Sequence, residues 1–459
     1  MESGKIYQVG TLKYTMGQLL TVCFWVLWGL FWYDMMQYIL VPTLMPLNFK
    51  ALGASGEWIG LVLGSLPSLA NFFINPVVST ASDRARTKMG RRIPFMLWSI
   101  PFVTGFCLLL GWLPFLRGAL TRWLPHANID LLMLVLYSAV FICFYISGLL
   151  IGIVSCYITP DVIPTQFIGR FQVAKSLVGT SAGFLFNKFL FSYSENYAHW
   201  LFTGIAILFA VSFTGLCLFV KEGEYPPPEL PDRSLPWHRR TAENFVMYFR
   251  DCFSKPFFVI FFLGFAMTVV STTCRSMFNA LFATETLHLT RQQYGDICAW
   301  GNVVSLAVVT IMGFFIDRLN GLLVYLLTGV AVLFFNVWGF FWVRDYATFL
   351  GVGLSMGVVY TMQSLSQTPM LILLLPRDKY GQFSSAAMMV VCLCTVVGNW
   401  LAGKVVDIFG YRYIYVWDFV FTLIASGLLT VVYLMWKRET LSTGVADETI
   451  RTQNKRRCV

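Results

Sequence analysis

The feature that most limits what this chain can fold into is a series of twelve apolar runs, each long enough to cross a lipid bilayer. A helix needs roughly 20 apolar residues to span about 30 Å of hydrocarbon. The runs lie near residues 19–46, 57–81, 94–115, 129–160, 167–191, 198–220, 256–283, 292–316, 320–342, 346–375, 382–407 and 412–436. Only 12% of the residues are charged and 57% are hydrophobic, whereas about a quarter of a soluble domain is charged. The sequence therefore predicts an all-α membrane protein with twelve transmembrane helices and excludes a water-soluble fold.

A polar segment divides the runs into two groups of six. Residues 221–255 contain several prolines among mixed charges, a composition typical of a solvated linker. The second run of each group ends in Asp-Arg, which is a weak sign of an internal repeat. We predict two pseudo-symmetric six-helix halves at residues 1–220 and 256–440. A cytoplasmic linker at 221–255 joins them, and a basic cytoplasmic tail follows at 441–459.

The formal net charge of +10 reflects where Lys and Arg stand rather than a nucleic-acid surface. Most of the 33 Lys and Arg lie on the side of the membrane that also holds both termini. This asymmetry follows the positive-inside rule, so both termini are expected in the cytoplasm. We expect a multi-pass protein of the inner or plasma membrane, surrounded by the lipid bilayer and without a nucleic-acid partner.

The loop after the second run carries a dense cluster of charge. Residues 83–94 read Asp-Arg-Ala-Arg-Thr-Lys-Met-Gly-Arg-Arg-Ile-Pro. Positive charge alone would hold this loop in the cytoplasm, but that does not account for an acid at the helix end. Such a carboxylate can pair with an Arg in one conformation and release it in another. The residues predicted to form a cytoplasmic gate are Asp83, Arg84, Gly90, Arg91, Arg92 and, in the second half, Asp317 and Arg318.

The same loop resembles that of the glycoside–pentoside–hexuronide:cation symporters of the major facilitator superfamily. Ser-Asp-Arg at 82–84 and Gly-Arg-Arg-Ile-Pro-Phe at 90–95 are most similar to the branch that contains the sucrose–proton symporters. A looser match after the fourth run comprises Pro160, Asp161, Pro164, Gly169 and Arg170. The resemblance implies a major facilitator fold with its substrate site near the membrane midplane. It also implies transport of a sugar or glycoside together with a proton or another monovalent cation.

Several positions depart from the coupling residues that the resemblance implies. The melibiose branch binds sodium through two aspartates of its second span, and the matching residues here are Asn71 and Asn75. An acid in the fourth span of the sucrose branch aligns with Tyr145, and a lysine in the eleventh span of the melibiose branch aligns with Cys392. Amides can coordinate a cation but cannot take up a proton. Either coupling runs through another residue, or this chain is an uncoupled facilitator.

Asp34 is the main candidate for that other residue. It lies midway along the first run, and Gln37 follows one turn later on the same face. An ionisable side chain at membrane depth is costly and is a functional candidate by default, and desolvation favours a protonated carboxyl group. We predict that Asp34 couples transport to a proton or binds a substrate hydroxyl. The alternative is a structural ion pair with a basic residue elsewhere in the bundle.

Basic residues in two other runs could supply that counter-charge or bind substrate. Lys175 lies in the fifth run, about where the resembled family keeps a basic residue, and Gln172 is the strict match on the same face. Arg275 lies late in the seventh run, where snorkelling to the interface is the alternative to contact with substrate. Spare positive charge of this kind would suit an acidic sugar.

A polar stripe at helical spacing marks the tenth run. Tyr360, Gln363 and Gln367 recur on adjacent turns, and Asn399 adds an amide in the eleventh run. Hydrogen bonds between helices would account for one or two such residues. The number of polar residues favours a water-filled cavity.

No pattern indicates an enzyme, a cofactor or a metal site. The four His lack ligand spacing. Residues 398–404 read Gly-x-x-x-x-Gly-Lys without the Ser or Thr that completes a nucleotide-binding loop. The sequence therefore predicts a secondary transporter, expected to be a monomer, that imports a sugar or glycoside with a proton or another cation. An uncoupled facilitator, an exporter of amphiphilic solutes and a transporter-like solute sensor remain as alternatives.

Overall fold

The computed structural model describes residues 6–9, 11–223, 248–315, 321–376 and 379–442, and these are almost entirely helical. The helices before the predicted linker are α1 (Met16–Asp34), α2 (Val41–Ala51), α3 (Gly56–Gly60), α4 (Leu66–Arg84), α5 (Ile93–Trp112), α6 (Leu116–Trp123), α7 (Ile129–Val162), α8 (Thr165–Leu185) and α9 (Ser194–Phe219). The helices after it are α10 (Pro256–Leu281), α11 (Arg291–Phe315), α12 (Gly321–Trp342), α13 (Tyr346–Leu374), α14 (Tyr380–Phe409) and α15 (Ile414–Ser442).

Four π-helical turns adjoin these helices, at Met35–Leu40, Leu61–Ser65, Phe186–Leu190 and Phe282–Thr286. The first joins α1 to α2 and the second joins α3 to α4, so that each pair forms one continuous rod. A π turn hydrogen-bonds five residues ahead instead of four, which rotates the side chains that follow it. Short 3₁₀ turns occur at Leu113–Phe115 and Tyr411–Tyr413.

Within the described residues, 11 helical segments are long and apolar enough to cross a membrane. The remaining predicted span corresponds to α8, a helix of 21 residues that the π turn at Phe186–Leu190 extends. Its polar residues, among them Arg170, Gln172 and Lys175, lower its apolar content. The prediction of twelve transmembrane helices therefore requires that α8 also crosses the membrane. Its polar side would then face neighbouring helices rather than lipid.

A two-stranded hairpin precedes α1 and was not predicted from the apolar pattern. Strands β1 (Tyr7–Val9) and β2 (Leu12–Tyr14) pair antiparallel, with Tyr7 opposite Tyr14. The Tyr7 ring packs edge-to-face on Phe167 in the first turn of α8, with 5.2 Å between ring centroids. The hairpin thus lies at the end of the bundle where α8 begins.

The chain forms two compact units. The first comprises Met1–Leu230 and Ala280–Val303, and the second comprises Pro231–Asn279 and Val304–Val459. In the first unit α5 packs against α7 and α9, and α1 packs against α8 and α9. In the second unit α12 packs against α13 and α15. The predicted division into halves stays a prediction, because residues 224–247 of the linker and 443–459 of the tail lie outside the described residues.

Phenylalanine side chains fill much of the interior of the second unit. Phe258, Phe261, Phe262 and Phe265 of α10 are buried in a cluster that also contains Phe383 of α14. Lipid tails are as apolar as these rings, so burial from water does not drive their association. Close van der Waals packing between helices stabilises this cluster instead.

Candidate functional site

Polar side chains line a cavity of about 230 Å³ in the first unit. Its lining residues are Tyr33, Gln37, Tyr38, Asn71, Asn75, Tyr145, Leu149, Gly152, Ile153, Cys156 and Tyr157, from α1, the π turn after it, α4 and α7. Four residues singled out in three different apolar runs, Gln37, Asn71, Asn75 and Tyr145, therefore meet at one place. None of the lining residues carries a charge.

Two glycines of α7 allow α1 to come this close. A Cβ atom on Gly148 would lie 2.6 Å from Gln37 Oε1, and one on Gly152 would lie 2.5 Å from the Tyr33 hydroxyl oxygen. The Tyr33 hydroxyl donates to the Gly148 carbonyl at 3.0 Å. Gly-x-x-x-Gly spacing is the sequence signal for such an approach. Gly148 and Gly152 have this spacing.

Two residues that line the cavity carry hydrogen-bond acceptors that the described residues do not satisfy. Gln37 Oε1 and Asn71 Oδ1 are buried and accept no hydrogen bond from them. Asn75 Oδ1 accepts from the Ser79 hydroxyl at 3.2 Å. A buried acceptor without a donor costs about 1–3 kcal/mol. A solute that offers hydroxyl donors at Gln37 and Asn71 would recover this free energy.

Asp34 lies beside the cavity but not among the residues that line it. Its carboxylate faces α8, where a Cβ atom on Gly179 would lie 3.2 Å from Oδ2. The Lys175 ammonium, one turn earlier on α8, acts electrostatically on it. Asp34 and Lys175 are both partly buried, whereas Gln172 is exposed.

The expectation that Asp34 and Gln37 share one helix face is wrong. Asp34 contacts α8 whereas Gln37 contacts α7. The π turn begins directly after Asp34, and its wider turn rotates Gln37 towards α7.

Arg275 belongs to a buried polar network in the second unit. Its Nε donates to Asp418 Oδ2 at 3.3 Å, and its Nη2 donates to Asn336 Oδ1 at 2.6 Å. The guanidinium carbon lies 4.7 Å from the centroid of the Tyr415 ring. The Tyr360 hydroxyl also donates to Asp418 Oδ2. The network joins α10, α12, α13 and α15.

Arg275 is therefore held by partners inside the second unit rather than extended towards water. Its side chain is 13% exposed and that of Asp418 is 0% exposed, so both charges are removed from water and need each other. Asp418 was missed, although an acid in the last apolar run satisfies the same rule that selected Asp34. Of the stripe predicted on α13, Tyr360 takes part in the network. Among the described residues Gln363 and Asn399 are buried and Gln367 is partly buried.

A third cluster lies at the beginning of α5. Arg91 Nη2 donates to both carboxylate oxygens of Asp161 at 2.9 Å, and Arg92 Nε donates to Asp161 Oδ2 at 2.5 Å. The Glu222 carboxylate accepts from the backbone N–H groups of Arg91, Arg92 and Ile93 at 2.7–2.9 Å. It thereby satisfies the free N–H groups at this helix start.

Gly90 enables the Glu222 contact. Its φ of +111° suits glycine, and a Cβ atom there would lie 2.6 Å from Glu222 Cδ. The predicted cluster thus contains Arg91 and Arg92, with Asp161 and Glu222 as their acidic partners. Asp83 and Arg84 belong to α4, but their side chains lie outside the described part of the chain, as do residues Asp317 and Arg318 altogether.

Comparison with protein families gives two matches. The model described as MFS_1 like family matches residues 30–353. The model described as Major Facilitator Superfamily matches residues 264–452. A search of curated protein sequences finds no match.

Solved structures with a similar fold are membrane transporters. A bacterial homologue of the human lysosomal transporter Spinster is 14% identical, with a TM-score of 0.60 over 93% of this chain and 99% of that chain. A mutant of the nucleoside transporter NupG is 13% identical, with a TM-score of 0.64 over 91% and 100%. The xylose transporter XylE from E. coli is 13% identical, with a TM-score of 0.62 over 89% and 95%. At such identities the likeness bears on the fold alone, and it confirms the predicted fold class.

Proposed function

Because the chain belongs to the major facilitator superfamily, we propose that it imports a neutral sugar or glycoside by proton symport. The family indicates a transporter rather than an enzyme. The proposal places the chain in the glycoside–pentoside–hexuronide:cation symporter group, near its sucrose–proton branch. The signature loop at 82–95 supports this finer assignment.

The observation that carries the proposed substrate is the uncharged cavity with two unsatisfied acceptors. Hydroxyl groups of a sugar would donate to Gln37 Oε1 and Asn71 Oδ1. The tyrosine rings of the lining give the apolar faces of a sugar ring a contact surface. Two fold neighbours are described as xylose and nucleoside transporters, and both of these solutes carry several hydroxyl groups.

The charges of the described residues favour a neutral solute over an acidic one. Asp418 neutralises Arg275, and Asp34 lies within electrostatic reach of Lys175. The positive charge of Arg275 is therefore already paired in the second unit, and that of Lys175 lies near a carboxylate in the first. This argues against the acidic-sugar interpretation of Lys175 and Arg275.

Asp34 is the proposed coupling residue. It carries the carboxyl group next to the cavity, and its neighbour Tyr33 lines the cavity wall. Protonation of Asp34 would release Lys175 from its electrostatic partner and change the contact between α1 and α8. This change links proton uptake to the packing of the helix that bears Gln37.

The proposed location is the inner or plasma membrane, with both termini in the cytoplasm. Positive charge concentrated on that side supports this orientation. The Arg91, Arg92 and Asp161 cluster then lies on the cytoplasmic face and holds α5 against α7. Three other functions compete with this proposal. They are an uncoupled facilitator, an exporter and a solute sensor.

Uptake by the purified protein in sealed proteoliposomes decides between these functions. We expect accumulation of a neutral sugar or glycoside from a panel of neutral and acidic sugars, driven by an imposed inward proton gradient. Protein-free liposomes serve as the control. Equilibration without accumulation would identify a facilitator, and binding without uptake would identify a sensor. Exclusive transport of apolar amphiphiles would contradict the proposal.

A further inference from the structure

Helix α6 follows α5 at a point where the membrane has already been crossed. The continuous helical segment Ile93–Trp123 has 31 residues, which at 1.5 Å per residue extend roughly 45 Å, whereas the hydrocarbon layer is about 30 Å thick. α5 alone has 20 residues and covers that thickness. A 3₁₀ turn that contains Pro114 separates it from α6. α6 therefore begins near the membrane face opposite to Arg91 and Arg92, which precede α5.

The sequence of α6 separates apolar from polar residues. The apolar residues recur at positions i, i+3, i+4 and i+7, a spacing that places them on one face of the helix. They are Leu116, Ala119, Leu120 and Trp123. The positions between them are polar or glycine, and they include Arg117 and Arg122. α6 is thus amphipathic over all of its 8 residues.

The described residues leave most of this apolar face uncovered. The Trp123 side chain is 82% exposed and that of Leu116 is 45% exposed. Phe115 and Leu124, which flank the helix, are exposed as well. A group of large apolar side chains that is exposed in this way marks a surface that contacts another molecule or a membrane.

The exposed face of α6 continues the surface that α5 presents to lipid. Leu109 and Trp112, near the end of α5, are exposed side chains of a segment that can cross a membrane. Phe115 and Leu116 extend this apolar surface onto α6. The ring of Trp112 also packs against that of Trp200 at the beginning of α9, with 5.8 Å between centroids. Tryptophan rings concentrate at the level of the lipid headgroups, which places α6 at that level.

The polar face of α6 carries positive charge. Arg117 Nη2 donates to Asp130 Oδ1 at 2.5 Å, and this ion pair joins α6 to the first turn of α7. Arg122 is exposed on the same face. Lipid phosphates accept charge-assisted hydrogen bonds from arginine. The polar face therefore matches the headgroup layer, and the apolar face matches the acyl chains beneath it.

We propose that α6 is a membrane-surface helix that lies in the plane of the bilayer where α5 ends, with its apolar face among the acyl chains and Arg122 at the lipid phosphates. Helices that bind a bilayer in this way combine a face of Trp or Leu with a face that carries Lys or Arg. The partner of this surface is the lipid bilayer itself. The inference goes beyond the proposed transport function and does not depend on it.

Photolabelling from within the bilayer tests this position. The full-length protein is reconstituted in liposomes of phosphatidylcholine and phosphatidylglycerol that contain a phospholipid with a diazirine near the top of one acyl chain. After illumination, mass spectrometry identifies the labelled residues. We expect label on Leu116, Leu120 and Trp123 at a yield comparable to that of Trp98, an exposed residue near the beginning of α5 that serves as the internal standard.

Matched variants place aspartate on opposite faces of α6. Leu120→Asp combined with Trp123→Asp should lower the labelling of Leu116 about tenfold relative to Trp98, since burial of one large apolar side chain favours the inserted helix by roughly that factor or more. Thr121→Asp, on the polar face, should leave the labelling of Leu116 at the parental value. Labelling of Trp98 in each variant reports that α5 still crosses the bilayer.

Three results would overturn the proposal. If Trp98 is labelled but the apolar residues of α6 are not, this helix stands in water. If the labelling of α6 falls as the protein density in the liposomes rises and returns on dilution, a second copy of the chain covers the face instead of lipid. An equal loss of label in Thr121→Asp and in the double aspartate variant would show that the apolar face is not what holds α6 at the bilayer.

Discussion

The proposed contacts with a sugar depend on two acceptor atoms of residues that line the cavity. Gln37→Leu and Asn71→Leu each remove a buried acceptor that has no donor among the described residues. We expect each to weaken sugar binding by roughly tenfold, since a lost hydrogen bond to a buried group costs about 1–3 kcal/mol. Tryptophan fluorescence titration or isothermal calorimetry of the purified protein would measure the change in Kd.

Gln166→Leu provides the control for both substitutions, because Gln166 is an exposed amide in the first turn of α8. It should leave the Kd unchanged. A Gln37→Leu variant that binds the sugar as tightly as the parent would show that this cavity is not the binding site.

A substitution of Asp34 tests whether this residue couples sugar transport to a proton. Asp34→Asn keeps the size of the side chain next to Gly179 but cannot exchange a proton. We expect it to abolish accumulation against a gradient while exchange of labelled for unlabelled sugar continues. Proton-driven uptake at the parental rate would reject Asp34 as the coupling residue. Lys175→Met is the companion variant, and it should alter the pH dependence of uptake if the two charges act on each other.

The sequence was sufficient to select several of these residues, but not to identify the residues that they contact. Rarity of polar groups at membrane depth is visible in a sequence, which is why Asp34, Asn71 and Arg275 could be selected. Pairing is not visible, since Arg275 and Asp418 are far apart in the chain and meet only through helix packing. Asp161 was recognised in a matching loop, but its contact with both arginines depends on how α5 and α7 pack.

At the scale of helices, the Arg275–Asp418 pair ties α10 to α15 in the second unit. Removing one partner leaves a buried charge unpaired, which costs about 3–5 kcal/mol. We expect Asp418→Leu to lower the apparent Tm in detergent strongly, and Arg275→Met with Asp418→Leu to recover more than half of that loss. Intrinsic fluorescence during a thermal ramp would measure both.

Lys379→Met is the matched control, since it breaks an exposed ion pair with Asp251 in the same unit. Exposed pairs contribute little to stability, so its Tm should stay close to the parental value. If Asp418→Leu has the same Tm as Lys379→Met, the Arg275–Asp418 network does not stabilise the second unit.

Helix boundaries followed from the sequence better than helix geometry did. Apolar length predicts where a span begins and ends, and caps such as Thr15 and Asp345 fix particular starts. The π turn at Met35–Leu40 has no such signal, because it depends on how α1 meets its neighbours. That turn is the reason why Gln37 and Asp34 contact different helices.

At the scale of the whole molecule, the order of apolar runs and one charged loop were sufficient to predict the fold class. Repetition of six spans with like ends limits the topology to a small set. The choice of solute cannot be predicted in this way, since one fold serves many solutes. Under the proposed function, that choice depends on the few side chains that α1, α4 and α7 bring to one cavity.

The number of transmembrane helices determines whether the two termini lie on the same face of the membrane. That number depends on whether α8 crosses. Twelve crossings place both termini on one face, whereas 11 crossings, the number that apolar character alone supports, would place them on opposite faces. We expect tags at both ends to be digested by protease added to the cytoplasmic face. A tag inserted at Pro125, between α6 and α7, should be protected from that protease and digested from the other face. Tags at the two termini that respond to protease on opposite faces would mean that α8 does not cross, and the two-half architecture would then fail.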